Sequence, residues 1–347
     1  MKVLITGGAG FIGSNIAKRF LDKKTEVVIL DNLSRIGAVK NLSWLKKQSQ
    51  KNLTFIKGDI RNRQLMDLLF NKLDIGKIDI VFHMAAQVAV TTSVLNPRED
   101  FEINALGTFN LLEAIRNSNQ RPIIMNSSTN KVYGQIECAK VKKRKSRYQY
   151  NNLPYGVSEK MPLDFYSPYG CSKGAAEQYI VDYSRIYGLK TINFRQSCIY
   201  GPRQFGVEDQ GWVAHFIISA ILNKPITIYG DGKQVRDILF IDDLVDAFLA
   251  AAGDLKTTCG RAYNIGGGPA NTISLLEFIR LLEKALGKKI SLRFKGWRPG
   301  DQKVYISDIR RARKDFGWRP NIGIEKGIGL LVKWVRENRG LFDDFQR

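Results

Sequence analysis

Two short segments of this chain carry residue types whose spacing suits a single chemistry. In Tyr169-Gly170-Cys171-Ser172-Lys173 a phenol and an ammonium stand four residues apart, which on a helix puts them one turn apart on the same face. A free tyrosine titrates at about 10, so drawing it down to a base at neutral pH takes about 4 kcal/mol. Lys173 and an oxidised nicotinamide are groups that could supply the positive field. Alone, the spacing is equally that of an ordinary helix surface. Ser127-Ser128-Thr129 adds a hydroxyl able to bridge a substrate oxygen and the phenol. Together these residues suit proton removal from an alcohol at a carbon that gives up a hydride.

A hydride needs an acceptor. After the first apolar run comes Gly7-Gly8-Ala9-Gly10-Phe11-Ile12-Gly13, which reads as both G-x-G-x-x-G and G-x-x-G-x-x-G. Glycines there permit a tight turn and close backbone approach to a pyrophosphate at a helix N-terminus. Asp31-Asn32 ends the next strand, 21 residues past Gly10. A carboxylate at that place accepts from the adenosine ribose hydroxyls and repels a 2′-phosphate, which favours NAD over NADP. Arg35 keeps NADP open. Asp59-Ile60, after the third strand, is a candidate adenine contact or a helix N-cap.

These groups need a scaffold that aligns them. Strands are expected at Lys2 to Thr6, Glu26 to Leu30, Leu53 to Lys57, Ile78 to His83, Pro122 to Asn126 and Thr191 to Arg195, with helices between them at Phe11 to Lys23, Asn104 to Asn117 and Pro168 to Tyr187. That alternation predicts an α/β fold, a Rossmann-type doubly wound parallel sheet. Beyond Tyr200 the Gly/Pro-punctuated segments GPRQFG, YGDGK, IGGGPA and RPGD suit a smaller, interleaved α/β C-terminal substrate domain. The expected division is 1–195, with 236–255 returning to it through a helix at Ile241 to Ala252, against 196–235 and 256–347. Gln135 to Asp164 reads as a loop and holds six basic residues within Lys140 to Arg147.

Composition narrows the classes. The chain has 347 residues, 44% hydrophobic, with 54 Lys+Arg against 33 Asp+Glu for a formal charge of +21. It can bury a substantial core. No segment is apolar over the roughly 20 residues of a membrane span, and the N-terminus lacks a signal-peptide pattern, so a cytoplasmic protein is expected. Cys138, Cys171, Cys198 and Cys259 are far apart, and His83 and His215 are the only histidines. No metal site or disulfide framework is expected. His83 reads as a structural strand-end residue.

The glycine turn, Ser128-Thr129 and Tyr169-x-x-x-Lys173 resemble the extended short-chain dehydrogenase/reductase family, in its NAD-dependent sugar-nucleotide epimerase/dehydratase branch. Further matches are His83-Met84-Ala85-Ala86-Gln87, Asn104 with Gly107-Thr108, Val132-Tyr133-Gly134, Tyr200-Gly201-Pro202 and Arg236-Asp237. The resemblance implies that Tyr169 is the base, that Lys173 lowers its pKa and holds the nicotinamide ribose, and that Thr129 orients the sugar hydroxyl, with Ser128 beside it. It implies a tightly bound, recycled NAD held by Gly7, Gly10, Phe11, Ile12, Gly13, Asp31, Asn32, Asp59, Ile60, Ala85, Ala86, Gln87 and Asn104. It also implies a nucleotide-diphosphate sugar held by Cys198, Arg203, Gln204, Arg236 and Arg298, with Asp301 on the nucleotide ribose. Guanidinium forks suit the diphosphate. A homodimer or homotetramer is implied, with no membrane or nucleic-acid partner.

Dehydratases of this family follow the hydroxyl residue with an Asp-Glu pair. Here Asn130-Lys131 follows Thr129, and an amide and an ammonium cannot do that pair's proton transfers. Epimerisation is therefore expected. The runs Ser127 to Gly134, Ser167 to Ala176, Asp209 to Val213 and Gly232 to Asp237 are most similar to the subgroup that inverts C2 of CDP-linked deoxyhexoses, which implies conversion of CDP-paratose to CDP-tyvelose or a related reaction. One departure is Cys198, where many relatives carry Asn. A UDP-hexose C4 epimerase is the enzymatic alternative, and a non-catalytic NAD-sensing or RNA-binding module using the Lys140 to Arg147 run is the alternative of another class.

Overall fold

In the computed structural model, residues 1–73, 75–298 and 301–346 are described. Pro299 and Gly300, between Arg298 and Asp301 in the sequence, lie outside them. Seven strands form one parallel sheet: β1 (Lys2–Thr6), β2 (Glu26–Asp31), β3 (Leu53–Lys57), β4 (Ile80–His83), β5 (Ile123–Thr129), β8 (Lys190–Gln196) and β12 (Arg261–Ile265), in the order β12-β8-β5-β4-β1-β2-β3. Val3, Leu4 and Ile5 are completely buried, as are Val81 and Phe82. Helices cover both faces, which is why the central strands read as continuous apolar runs. The order reverses between β2 and β4 across β1, and a crevice at the carboxyl ends of the strands is where such sheets take ligands.

The expected strands appear within a few residues, with one consequential difference. β5 runs three residues beyond Asn126, with Thr129 paired in register to Gln196, so the hydroxyl run is the carboxyl end of an interior strand and not a loop after it. β12 was expected in the substrate half but is the sheet's outermost strand. Asn104 was expected inside one regular helix; it lies in a π-helical turn, Glu102–Leu106, that leads into the helix Gly107–Arg116. The segment Gln135 to Asp164 is not simply a loop. It carries an antiparallel hairpin, β6 (Val141–Lys143) with β7 (Tyr148–Tyr150), whose Tyr148 and Tyr150 are buried while Gln149 is exposed. Two tyrosines alternating with one polar residue are too few to reveal a period in the sequence.

The remaining strands are β9 (Cys198–Tyr200), β10 (Ile226–Tyr229), β11 (Val235–Phe240), β13 (Thr272–Ser274), β14 (Leu292–Lys295) and β15 (Val304–Tyr305), with β11 joined to β9, β13 and β15. The helix Ile241–Gly253 returns to the main sheet, where Phe248 packs edge-on against Phe82 and Phe194. Among the described residues no helix is long and apolar enough to cross a membrane.

The helix Ser167–Tyr187 starts with Pro168 in its first turn and stops at Gly188, whose φ of 66° suits a left-handed cap. Glu177 on that helix is fully buried and takes bonds from Arg195 Nη2 at 2.5 Å and Arg195 Nε at 3.0 Å. Ser128 Oγ donates to the same carboxylate at 2.5 Å. Arg195 Nη1 donates to Tyr133 Oη at 2.8 Å, which in turn donates to Asn264 Oδ1 at 2.7 Å. This network joins the ends of β5, β8 and β12 to one helix. Removing one partner leaves a buried charge uncompensated, so Glu177→Ala is expected to lower stability by about 3–5 kcal/mol, read from the denaturant midpoint at unchanged m-value.

Candidate active site

The glycine turn sits at the carboxyl end of β1. Gly7 has φ +66°, and Gly10 N–H donates to Gly7 O at 3.0 Å. A Cβ at Gly13 would collide with Gly7 O. The helix Phe11–Asp22 begins at Gly10 with no side-chain cap, so its first-turn N–H groups face the adjacent cleft, a ready anion site. This cleft, of about 290 Å³, is lined by Gly7, Gly10 to Gly13, Asp31, Asn32, Asp59, Ile60, Ala85 and Ala86. Most of the expected cofactor residues therefore come together. Gln87, Asn104, Tyr169 and Lys173, also expected on the cofactor, are not among its lining residues. Asn104 Oδ1 accepts from Gln87 N at 2.9 Å, and its amide donates to Gln87 O and Ser172 Oγ, each at 3.1 Å, and to Asp100 Oδ1 at 3.2 Å. Its polar atoms are consumed within the protein, so it positions the cleft wall rather than a ligand.

Asp31 Oδ2 accepts Ala9 N–H at 2.9 Å and Oδ1 accepts Leu33 N–H at 2.7 Å. Burial nevertheless holds its carboxyl above the usual range, with those backbone bonds opposing. Asp59 is buried in part, which raises it, but Arg61 bonds and the Asn32 amide outweigh this and bring it to about 2. The alternative of Asp59 as a helix cap is not met, because Asn62 caps the following helix by accepting from Leu65 N at 3.0 Å. Arg35 lines the cleft and donates to Gln210 Oε1 at 3.2 Å. These residues fit a dinucleotide with a free ribose 2′-hydroxyl.

Arg203 and Gln204, expected on the substrate, line this same cleft. Arg203 has φ +70°, and its guanidinium stacks 4.1 Å from the centroid of Trp44. Gln204 Nε2 donates to Ile199 O at 3.2 Å. Asn41, which the motifs did not single out, fastens the two sides by donating to Ala9 O and Arg203 O, each at 3.2 Å. It stands on a helix with no motif, so no local signal could have found it.

Thr129, Tyr169 and Lys173 are all buried. Burial pushes the Tyr169 phenol up to about 12; the Thr129 hydroxyl beside it pulls it down and the Asp100 carboxylate adds to the rise. Burial also brings Lys173 down to about 8, against the opposing pull of Asp100 and Glu177. Within the protein alone the expected lowering of Tyr169 by Lys173 is therefore absent. Ser128 is on the other face of β5 from Thr129 and is spent on Glu177, so it does not stand with the reacting hydroxyl. His83 is structural, with Nδ1 2.8 Å from Thr6 Oγ1 and Nε2 2.9 Å from Thr108 Oγ1.

On the substrate side, Arg236 Nη2 bonds Asp301 Oδ1 at 3.0 Å. Arg298 lies over the Tyr229 ring at 3.8 Å and pairs with Asp209 at 3.0 Å. Cys198, on β9, is half-buried, and burial raises its thiol against the pull of Arg236.

Residues 4–330 match the family model described as GDP-mannose 4,6 dehydratase. The chain belongs to that family, the extended short-chain dehydrogenase/reductases that act on sugar nucleotides with NAD, and it is an enzyme of this class. Among individual proteins, it is 46% identical to the CDP-paratose 2-epimerase of Salmonella typhi, over 96% of this chain and 99% of that one. It is 33% identical to a putative UDP-glucose 4-epimerase of Methanocaldococcus jannaschii, over 97% and 99%. The UDP-glucuronic acid 4-epimerase of Bacillus cereus, solved with UDP-glucuronic acid and NAD, superimposes with a TM-score of 0.82 at 30% identity, covering 97% of this chain and 99% of that one.

Asp31→Ala removes an acceptor for the ribose and the Ala9 N–H anchor together. Loss of a charge-assisted bond is worth about 1.5–3 kcal/mol, so NAD affinity measured by calorimetry is expected to fall at least about tenfold.

Proposed function

We propose that the chain inverts C2 of a CDP-linked deoxyhexose, with CDP-paratose to CDP-tyvelose the conversion favoured by its 46% identity to the Salmonella typhi enzyme. The observation that carries epimerisation over dehydration is at residues 130 and 131. The buried Thr129–Tyr169–Lys173 set is followed by an amide and an ammonium, with no carboxylate pair for elimination of water. UDP-hexose C4 epimerisation is the second reading, supported by the 33% identity to the Methanocaldococcus jannaschii protein.

In this reading Thr129 orients the sugar hydroxyl, Tyr169 takes its proton and later returns it, and Lys173 holds a positive charge beside the phenol. Arg236 and Arg298 hold the diphosphate, Cys198 packs against it and Asp301 turns to the nucleotide ribose. NAD in the glycine-turn cleft would supply a hydride acceptor and donor, and a positive ring of the kind the raised Tyr169 lacks in the protein alone. We assign cofactor binding to the parts that carry the seven-stranded sheet, 1–195 with the helix Ile241–Gly253 and β12, joined by Arg203 and Gln204, and sugar-nucleotide binding to the rest of 196–240 and 254–347. The four cysteines are free thiols, which suits a cytoplasmic enzyme. The basic run is not assigned to nucleic acid: Lys143 pairs with Asp231 and Arg147 with Glu277.

We also propose a homodimer. Leu95, at 86% exposed, Phe101 and Ile186 are uncovered apolar side chains on the helices Val90–Leu95, Pro97–Phe101 and Ser167–Tyr187, which pack together. Sedimentation is expected to show a dimer, and Phe101→Glu combined with Ile186→Glu a monomer.

Incubated with CDP-paratose bearing deuterium at C2, the enzyme is expected to return the label at C2 of the product. Loss of label to solvent, or inversion at another carbon seen by NMR, would refute the reading. Tyr169→Phe is expected to abolish turnover while still binding NAD. Lys173 is charged below about 8 and neutral above, so kcat is expected to fall as pH rises through that value. Lys173→Arg should move this limb to higher pH.

A further inference from the structure

One cation close to Thr129 has no partner among the described residues. Lys131 lies in the short 3-10 turn Asn130–Tyr133, and its backbone N–H donates to Thr129 Oγ1 at 3.2 Å. The turn thus fixes Lys131 relative to Thr129. Its side chain is half-buried, and its ammonium makes no hydrogen bond or ion pair with any described residue. Burial brings it down to about 8. The charged and titratable groups bearing on it are Arg236, which lowers it, and Asp301 and Cys198, which raise it.

None of these neutralises it. The Asp301 carboxylate is bonded to Arg236, and the raised Cys198 thiol is uncharged near neutral pH. The indole N–H of Trp212 is buried and faces the Cys198 thiol, a weak acceptor. An unpaired ammonium beside a guanidinium is unfavourable until an anion joins them.

The covalent structure of a nucleotide-diphosphate sugar says which anion fits. Its sugar-side phosphate is attached through oxygen to C1. C2 is the next carbon, whereas C4 is across the ring. Presenting C2 to Thr129 and Tyr169 therefore requires the phosphate to sit nearer to Thr129 than presenting C4 does. Lys131, two residues beyond Thr129, is on hand to meet it there.

We propose that Lys131 is a specificity-determining residue whose ammonium, with Arg236, binds the sugar-side phosphate of the substrate and so sets C2 rather than C4 before Tyr169. This deepens the 2-epimerase reading and rests on it.

Calorimetry on the NAD-loaded enzyme tests the contact without turnover. CDP carries a phosphate at the sugar-side position and CMP does not. Lys131→Met is expected to weaken CDP at least about tenfold and to leave CMP within about twofold, and Lys131→Arg to recover most of the loss. Wild-type affinity for CDP should decline as pH rises through about 8, where the ammonium loses its proton, and the Met variant should lack that decline. Retained NAD in each variant reports an intact fold. Unchanged CDP binding in Lys131→Met, or equal loss for CMP and CDP, overturns the proposal. The C2 deuterium experiment tests the parent reading separately, because these affinities do not depend on which carbon is inverted.

Discussion

The ion pair between Glu177 and Arg195 is the constraint on which the catalytic geometry depends. Glu177 lies one helical turn beyond Lys173, and its carboxylate collects Arg195 from β8 and Ser128 from the end of β5. The residue after Ser128 is Thr129, so one carboxylate sets the distance between the strand that carries the hydroxyl and the helix that carries the phenol and ammonium. An apolar core packed at the same place could match its stability. It would not specify the helix's rotation or axial register as sharply, because apolar contacts are non-directional. The asset here is direction.

The same burial that permits this precision moves both reacting groups away from their working states. Tyr169 is pushed up and Lys173 down, since low-dielectric surroundings oppose phenolate and ammonium alike. Near neutral pH the phenol stays protonated and uncharged, while the ammonium keeps its charge with little margin. That explains why Asp100 and Glu177 matter beyond packing: they sustain the lysine's charge, while Asp100 also keeps the phenol protonated. A site built this way holds its base in reserve and engages it only in the loaded enzyme.

Much of this was legible in the sequence, and the exceptions have physical causes. Strands buried on both faces announce themselves as apolar runs, and the glycine turn is legible because Gly7 and Gly13 have no space for a Cβ. The positions of Arg203 and Gln204 were not legible. They follow a strand belonging to the second sheet, but a left-handed residue at 203 turns the chain back over the cofactor cleft, and φ at one arginine leaves no trace in composition. Asn104 carries a family motif, yet the motif says only that the residue matters. The π turn makes it a brace between Gln87 and Ser172. Ser128 and Thr129 are adjacent hydroxyls with opposite duties, and only the alternation of the strand separates them.

The formal charge of +21 illustrates the difference between an amount of charge and its placement. Lys143 and Arg147 in the basic run are paired with acids outside the hairpin, Asp231 and Glu277, and a solvent-facing pair such as Lys143–Asp231 contributes at most about 1 kcal/mol. Arg298 is likewise held by Asp209. The cations with leverage are those that desolvation has made costly and that no acid neutralises. By that criterion Lys131 outweighs the whole surface excess. It stands two residues beyond Thr129, where a positive charge suits a phosphate and an acid would repel one.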